Sequence, residues 1–169
     1  VNTNTAAGVS LTATNLTVNA GLTTPADGTV TFNESGTVTI AAAGAINADG
    51  AVSITGGGGI STAGNVTTTN DNVTFVSANT LAGAVAINTG TGAGTVAFNS
   101  TLDGGQNLTL TAGTGNVDFD AADGNTTRLG IVSNVSAANV TVDSTLTAAS
   151  LSQTAGTGTT TLSGAVNTN

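Results

Sequence analysis

Two sets of short segments along the chain alternate apolar residues with small or polar ones. The segments of the first set start at a valine and have a second apolar residue two positions later. They start at Val30, Val52, Val73, Val96, Val117 and Val140. Strict alternation is typical of a β-strand with one buried face. The first set therefore predicts strands that return in register about every 22 residues.

A second set lies about half a period away from the first. Its segments start at Val38, Val85, Leu108, Leu129 and Leu151. From Val85 onward the starts recur with the same period as the first set, whereas Val38 and Val85 are separated by about two periods. This set predicts a second column of strands on the other side of each coil.

The second apolar position of the first set holds every phenylalanine in the chain. The six residues at this position are Phe32, Ile54, Phe75, Phe98, Phe119 and Val142. Stacked coils would place equivalent residues one above another, so the shared position predicts a structural core ladder along the axis. An accidental alignment of all four phenylalanines explains the pattern less well.

Turn signals separate the predicted strands. Asp-Gly and glycine-rich clusters supply the positive φ angles that sharp corners need, and they occur in the segments starting at Pro25, Asn47, Leu102, Ala112, Ala122 and Ala155. A chain that forms a strand, turns and returns in register builds parallel strands. We therefore predict an all-β fold, a right-handed parallel β-helix (β-solenoid) with coils of about 22 residues, the hand following the rule for parallel crossovers.

Composition supports this fold and excludes several functions. Valine and threonine favour strands, and four phenylalanines are the only aromatic residues, so the core must be thin. The net charge is −8 with a single basic residue, Arg128, which leaves no surface to neutralise phosphates. We therefore expect no nucleic-acid partner, and no membrane insertion because no apolar stretch is long enough to span a bilayer. The chain has no cysteine, which excludes thiol chemistry.

The tetrapeptide VNTN occurs twice, at Val1 to Asn4 and at Val166 to Asn169. We interpret residues 1–169 as a single continuous β-solenoid segment, one 165-residue period of a tandem array with a four-residue overlap. With coils of about 22 residues this period is about 7.5 coils, so the two columns would exchange at every repeat. Either the two columns are similar enough to exchange, or the register between Val38 and Val85 is different; both alternatives stay open at this point.

The stretches from Thr91 to Asp120 and from Leu146 to Asn169 resemble the repeat regions of giant bacterial secreted surface proteins, the filamentous-haemagglutinin-like and autotransporter-like adhesins. The resemblance covers essentially the whole chain. It implies a right-handed parallel β-helix that is secreted and displayed at the bacterial cell surface. We therefore expect a structural repeat of an extracellular rod or filament whose partners are copies of itself stacked end to end. The alternative is an adhesive module that binds glycan or protein through its lateral surface.

The sequence offers few candidates for chemistry. The best carboxylate cluster is Asp118, Asp120 and Asp123 with Arg128, and we interpret it as a solvated strand surface followed by an Asp-Gly corner. Because no second cluster supports acid–base catalysis, we expect no enzyme, no catalytic or cofactor-binding residues and no cofactor. For a metal, only Asp120 and Asp143 are weak calcium candidates. They share one column with Asn99 and Asn33, and a ladder of polar turn residues is the simpler explanation.

Overall fold

The computed structural model describes residues 8–168, and within this range every regular element is a β-strand. No helix that could cross a membrane is found in the described part of the chain. The strands in chain order are β1 (Val9–Leu11), β2 (Leu16–Val18), β3 (Leu22–Thr24), β4 (Val30–Glu34), β5 (Val38–Ile40), β6 (Ile46–Ala48), β7 (Val52–Gly56), β8 (Ile60–Thr62), β9 (Val66–Thr67), β10 (Val73–Phe75), β11 (Asn79–Leu81), β12 (Val85–Asn88), β13 (Val96–Phe98), β14 (Leu102–Asp103), β15 (Leu108–Thr111), β16 (Val117–Phe119), β17 (Leu129–Ser136), β18 (Val140–Val142), β19 (Leu146–Gln153), β20 (Thr160–Leu162) and β21 (Val166–Thr168).

These strands form three parallel sheets that the chain visits in turn. The first sheet has the order β1-β4-β7-β10-β13-β16-β18-β20, the second β14-β11-β8-β5-β2, and the third β21-β19-β17-β15-β12-β9-β6-β3. One passage around the three faces makes one coil, and about seven coils stack at intervals of about 22 residues. The predicted all-β, parallel β-solenoid fold is thus confirmed.

The strands of the first sheet pair in the register that the valine spacing predicts. Each valine that starts a segment pairs with the valine of the next coil, from Val30 to Val140. The column extends one strand further at each end, because Val9 pairs with Val30 and Thr160 with Val140. All four V-x-F segments lie in this sheet, so the phenylalanine pattern identifies it from the sequence.

The single second column predicted from the sequence is wrong, because its members belong to two sheets. Val38 lies in the second sheet and pairs with Leu16 and Ile60. Val85 lies in the third sheet and pairs with Leu108. The long interval between Val38 and Val85 therefore joins strands on different faces, and each coil has three faces instead of two.

Leu129 is a second place where the predicted spacing is wrong. Leu108 pairs with Val132, which in turn pairs with Leu151, while Leu129 pairs with Ala148. The cause is an excursion over residues 124–128, just before β17. The carboxylate of Asp103 on the preceding coil accepts the backbone amides of Thr126 at 2.9 Å and Thr127 at 3.0 Å and holds this excursion in place.

Inward-facing side chains from the three sheets form one narrow core. Its largest fully buried members are Phe32, Phe75, Phe98, Phe119, Ile40, Ile46, Ile54, Ile87, Leu102, Leu108, Leu110 and Leu129. Buried threonines close the corner that follows the third sheet, because the hydroxyls of Thr24, Thr68 and Thr89 donate to backbone carbonyls three to five residues later in the chain. The core is aliphatic along most of its length, as the composition indicates.

Asparagine side chains tie neighbouring coils together at the corners. The Oδ1 atom of Asn15 accepts the amide of Thr37 on the next coil at 2.8 Å, and Asn72 accepts the amide of Thr95 at the same distance. Asn139 likewise accepts the amide of Thr159 at 2.8 Å. These bonds satisfy corner amides that lie outside the strand ladders, so the asparagine-rich corners stabilise the stacking of the coils.

Candidate functional site

The predicted core ladder Phe32, Ile54, Phe75, Phe98, Phe119 and Val142 lies at equivalent positions of successive coils. The Phe75 and Phe98 rings stack with centroids 5.2 Å apart, and Phe98 and Phe119 with centroids 5.3 Å apart. All six side chains are essentially inaccessible to solvent. Because Ile54 separates Phe32 from the other rings, the continuous aromatic stack spans three coils.

The calcium candidates Asp120 and Asp143 share an exposed column at the end of the first sheet. The amide of Asp120 donates to the Phe98 carbonyl, and that of Asp143 to the Phe119 carbonyl, so the two aspartates lie at equivalent places one coil apart. Asn99 takes the same place on the preceding coil. Among residues 8–168 no group of three or more His, Cys, Asp or Glu side chains is placed to hold a metal ion. Calcium binding stays a prediction.

Asp118 shares the outer surface of the first sheet with these two carboxylates. It is partly buried and pairs with Thr141 of the next coil. Burial raises the pKa of Asp118, the charges of Asp120 and Asp143 raise it further, and a hydrogen bond with the Thr141 hydroxyl acts in the opposite direction. The three carboxylates therefore form a small acidic patch on one lateral face.

Asp123 does not belong to this patch, although the sequence places it in the same cluster as a solvated corner residue. Its side chain is completely buried. Oδ1 accepts the backbone amide of Leu102 at 2.7 Å, and Oδ2 has no hydrogen-bond partner. Burial raises the pKa of Asp123 to about 7, and the charges of Asp103 and Asp120 contribute, while the Leu102 amide acts in the opposite direction. The expected solvated position of Asp123 is therefore wrong.

The chain topology explains why Asp123 is buried. It bridges Leu146 of the next coil, and the amide of Gly124 donates to the Leu102 carbonyl, so Asp123 continues the inward column of the second sheet. It follows Val117 by six residues, as Leu102 follows Val96. This spacing is the signal in the sequence that identifies Asp123 as an inward residue.

Arg128 also makes its contacts within the fold. Its guanidinium donates to the backbone carbonyl of Ala148 on the next coil, and its Nε atom is buried without a hydrogen-bond partner. The side chain therefore ties the excursion over residues 124–128 to the next coil. The four candidates Asp118, Asp120, Asp123 and Arg128 do not form one site, because Asp123 faces the core.

Three further buried polar residues were not identified from the sequence. Glu34 accepts the amide of Ala13 with one carboxylate oxygen, while its other oxygen is buried without a partner. Asn79 accepts the Thr62 hydroxyl at 2.9 Å, and Asn134 makes no side-chain hydrogen bond. Glu34 follows Phe32 by two residues, so strand alternation does place it on the inward face.

The second sheet carries a shallow lateral groove of about 370 Å³. Backbone of Gly58 and Gly59 lines it together with the hydroxyl-bearing residues Thr39, Ser61 and Thr80. The lining includes no aromatic or charged side chain. The groove offers hydroxyl and backbone hydrogen-bonding groups to a polar ligand.

The two ends of the described solenoid are apolar. A cavity of about 360 Å³ at the first coil is lined mainly by Val9, Leu11, Leu16, Val18, Leu22 and Phe32. A cavity of about 200 Å³ at the last coil is lined by Asn134, Val140, Leu151, Ser152, Gln153, Thr160 and Leu162. Leu11 is 40% and Leu162 51% exposed, although the interior residues of the same column are buried.

Comparison of the chain with protein-family models, with curated proteins and with solved structures finds no match. Function is therefore inferred from the described structure itself. Its relevant features are three parallel sheets, an acidic patch, a shallow groove and two apolar ends.

Proposed function

We propose that this chain is a structural repeat of an extracellular bacterial β-solenoid rod or filament, such as the stalk of a large surface adhesin or a matrix fibre. The observation that carries the proposal is the continuity of the sheets. The first and third sheets each contain eight parallel strands and end on apolar faces at the first and last coils. Such a fold extends in one dimension without a new core at each step.

The geometry suits a load-bearing rod. Hydrogen bonds between parallel strands run along the solenoid axis, and each coil adds about 4.8 Å of length. Each coil buries its inward residues against the coils above and below, so stability accumulates along the axis. The proposed role includes no catalytic reaction and no cofactor, since the candidate carboxylates are divided between the core and the lateral surface.

The repeated tetrapeptide supports a covalent array. Val1 to Asn4 and Asn169 lie outside the described residues, whereas Val166–Thr168 forms β21 and pairs with β19. The second occurrence of VNTN therefore begins within a regular coil, where a following copy can continue the solenoid. The proposed location at the bacterial cell surface is supported by the resemblance of the sequence to secreted surface proteins.

The mass of the natural polypeptide in denaturant tests this proposal. A mass of many repeat units is the expected result, since a rod built of covalent repeats must be one long chain. A mass near 15.9 kDa would contradict the covalent array and leave only non-covalent stacking of separate subunits.

An adhesive module is the second candidate function, and the groove on the second sheet favours it. Replacing Thr39 and Thr80 by lysine would obstruct that groove, while Thr31→Lys on the first sheet provides a matched lateral control. Binding of the protein to host cells or to an array of glycans is the measurement. Loss of binding in the groove variant alone would support adhesion, whereas equal binding by all three proteins would leave the groove without this role.

A further inference from the structure

The manner in which consecutive copies join can be inferred from the coil geometry, and this inference rests on the proposed tandem array. In a continuous chain with a 165-residue period, Val9 of the next copy occupies position 174. Two strands of the preceding copy could receive it. One is β19 in the third sheet, at Leu151, and the other is β20 in the first sheet, at Thr160. The question is which of these two strands Val9 of the next copy pairs with.

The number of residues in each described coil shows which of these two strands pairs with Val9 of the next copy. Counted in residues between paired positions on neighbouring coils, the step is shortest from Ile60 to Asn79 and from Val132 to Leu151. It is longest from Thr111 to Ser136, across a bulge. The step from Thr160 to position 174 is shorter than any of these, so it cannot complete a coil around this core. The step from Leu151 to position 174 lies within the observed range. Val9 of the next copy therefore continues the third sheet, above Leu151.

The strand β21 shows which face comes before this junction. Val166 pairs with Leu146 of β19, and Leu146 in turn bridges Asp123, which continues the inward column of the second sheet. The long strand β19 belongs to the third sheet, but it begins on the second face at Leu146 and reaches the third face at Leu151. The strand β21 pairs with the first residues of β19 and therefore lies on the second face. The last described coil therefore supplies a first face at Thr160 and a second face at Val166, and the third face is the next to be filled.

The other two strands of the next copy fit the same arrangement. Leu16 of the next copy occupies position 181, one coil beyond Thr160, and its Leu22 occupies position 187, one coil beyond Val166. Both steps lie within the range of the described coils. The strand β2 of one copy thus continues the first face of the preceding copy, and its strand β3 continues the second face on β21.

We infer that each copy is rotated about the solenoid axis by one face relative to the copy before it. One period contains seven coils and two further faces, because the chain passes from Val9 through seven coils to Thr160, then through Val166 to the next Val9. Three copies restore the original orientation. The half-coil exchange expected from two columns becomes a rotation among three faces.

Three apolar residues at the first end meet apolar residues of the last coil in this arrangement, whereas Leu11 meets Gln153 and Leu16 meets Thr160. Parallel pairing places the next copy's Val9 on Leu151 and its Leu22 on Val166. Extending the pairing of Thr160 by two residues places the next copy's Val18 on Leu162, the most exposed large apolar residue described. The partner of each end cavity is therefore the rotated end of another copy of this chain.

The rotation also determines where the lateral features recur. The acidic patch of Asp118, Asp120 and Asp143 belongs to the first sheet, and the groove belongs to the second. Consecutive copies present each feature on a different side of the rod, and the same side presents it again every third copy. A rod built this way displays its surface chemistry in all three lateral directions.

Disulfide cross-linking in a protein of two tandem copies tests the rotation. One variant carries Ser152→Cys in the first copy and Ser10→Cys in the second, and the other carries Thr161→Cys in the first copy with the same Ser10→Cys. The chain has no cysteine of its own. Cα atoms of laterally paired residues are about 4.8 Å apart, within the range of about 4.4–6.8 Å that a disulfide needs. We expect the first pair to oxidise nearly completely and the second to stay reduced.

A pair within one copy calibrates the experiment. Ser133 and Ser152 pair directly between β17 and β19, so Ser133→Cys with Ser152→Cys in the first copy must cross-link. Against that control, cross-linking of the Thr161 pair, or of neither pair between copies, overturns the rotation. The proposed covalent array fails separately, if the natural polypeptide has the mass of one copy, and that result does not alter the cross-linking pattern.

Discussion

At the residue scale, the aromatic stack has an internal gradient that mutation can measure. Phe98 has a stacked ring on each side, whereas Phe75 and Phe119 each have Phe98 alone. Each stacked pair contributes about 0.5–1.5 kcal/mol beyond the area that it buries. Replacement by leucine should therefore reduce the free energy of unfolding more at Phe98 than at Phe75 or Phe119. Denaturant unfolding of the three variants measures this order.

Phe32 supplies the comparison without stacking. Its neighbours in the column are Leu11 and Ile54, so Phe32→Leu loses buried area but no ring pair. We expect its cost to be the smallest of the four. Equal losses of stability for all four leucine variants would show that ring stacking does not contribute.

The buried carboxyl of Asp123 should make stability depend on pH. Its pKa is raised in the folded protein to about 7 from an ordinary value of 3.8. The folded state therefore holds a proton that the unfolded state has released between about pH 4 and 7. The contribution of Asp123 to the free energy of unfolding should be greatest below about pH 4, fall as the pH rises towards 7, and then level off. The total change is a few kcal/mol, since each pKa unit corresponds to about 1.4 kcal/mol.

The Asp123→Asn variant should lose this pH dependence, because its amide oxygen can still accept the Leu102 amide without ionising. Urea unfolding between pH 4 and 8 is the measurement. Asp143→Asn is the matched control, since Asp143 lies on the lateral surface and its replacement leaves the Asp123 carboxyl in place. A slope that persists in Asp123→Asn would show that another group is responsible.

Among single residues, the sequence predicted the phenylalanine positions and not the buried aspartate, for a physical reason. Four aromatic side chains at one phase of the repeat can only lie inside a thin coil. A carboxyl group is normally exposed, so residue type predicts a surface position for Asp123, whereas its side chain is buried. Its spacing from Val117 indicates an inward position, but that spacing is informative only when the coil is known to have a third face.

At the scale of elements, the second sheet was the part of the fold that the sequence did not separate. Its strands are short, and β14 contains two residues. Its inward column includes Asn79, and Asp123 continues it, so the apolar alternation that identifies the first sheet is interrupted. Periodicity detects a column only where its inward residues are consistently apolar. The remaining apolar segments of the two sheets therefore look like one column in the sequence.

The excursion after Asp123 depends on one glycine. Gly124 has a φ of 64°, and a Cβ atom there would lie 1.9 Å from the Thr147 carbonyl oxygen. Gly124→Ala should reduce the free energy of unfolding by more than about 2 kcal/mol, because it combines an unfavourable φ with a backbone clash. Gly105 is the matched control, since the nearest atom to its Cβ would be 3.9 Å away.

Thermal unfolding of the two alanine variants measures the difference. Gly105→Ala should stay within about 0.5 kcal/mol of the unmodified protein. If Gly124→Ala were equally well tolerated, the corner could not have the conformation and the close contact with Thr147 described above.

At the scale of the whole molecule, the number of coils in a period depends on the number of faces. Two columns and a coil of about 22 residues give a half-coil offset that exchanges unlike faces. Three faces turn the same period into seven coils and two faces, and every step across the junction then lies within the observed range. The 165-residue period is present in the sequence, but the rotation depends on the third face of the coil, which only the strand pairing shows.

The ends of the solenoid determine how an isolated copy should behave in solution. Both ends expose apolar side chains and unpaired strand edges, which favour association with another copy. Leu162→Lys places an ammonium group on the apolar last coil, where desolvating it is costly, whereas Thr161→Lys on the same strand faces the lateral surface. Sedimentation velocity should show association that rises with concentration for the unmodified chain and for Thr161→Lys.

The Leu162→Lys variant should sediment as a monomer with an unchanged circular dichroism spectrum, because the substitution affects only the end of the ladder. An unmodified chain that stays monomeric at high concentration would contradict stacking through the ends. Equal inhibition by Thr161→Lys would place the contact on the lateral faces, and the rod would then grow by a different geometry. Because Leu162 continues the column that Phe98 occupies inside the rod, the residue that limits assembly at the end belongs to the same ladder that stabilises the interior.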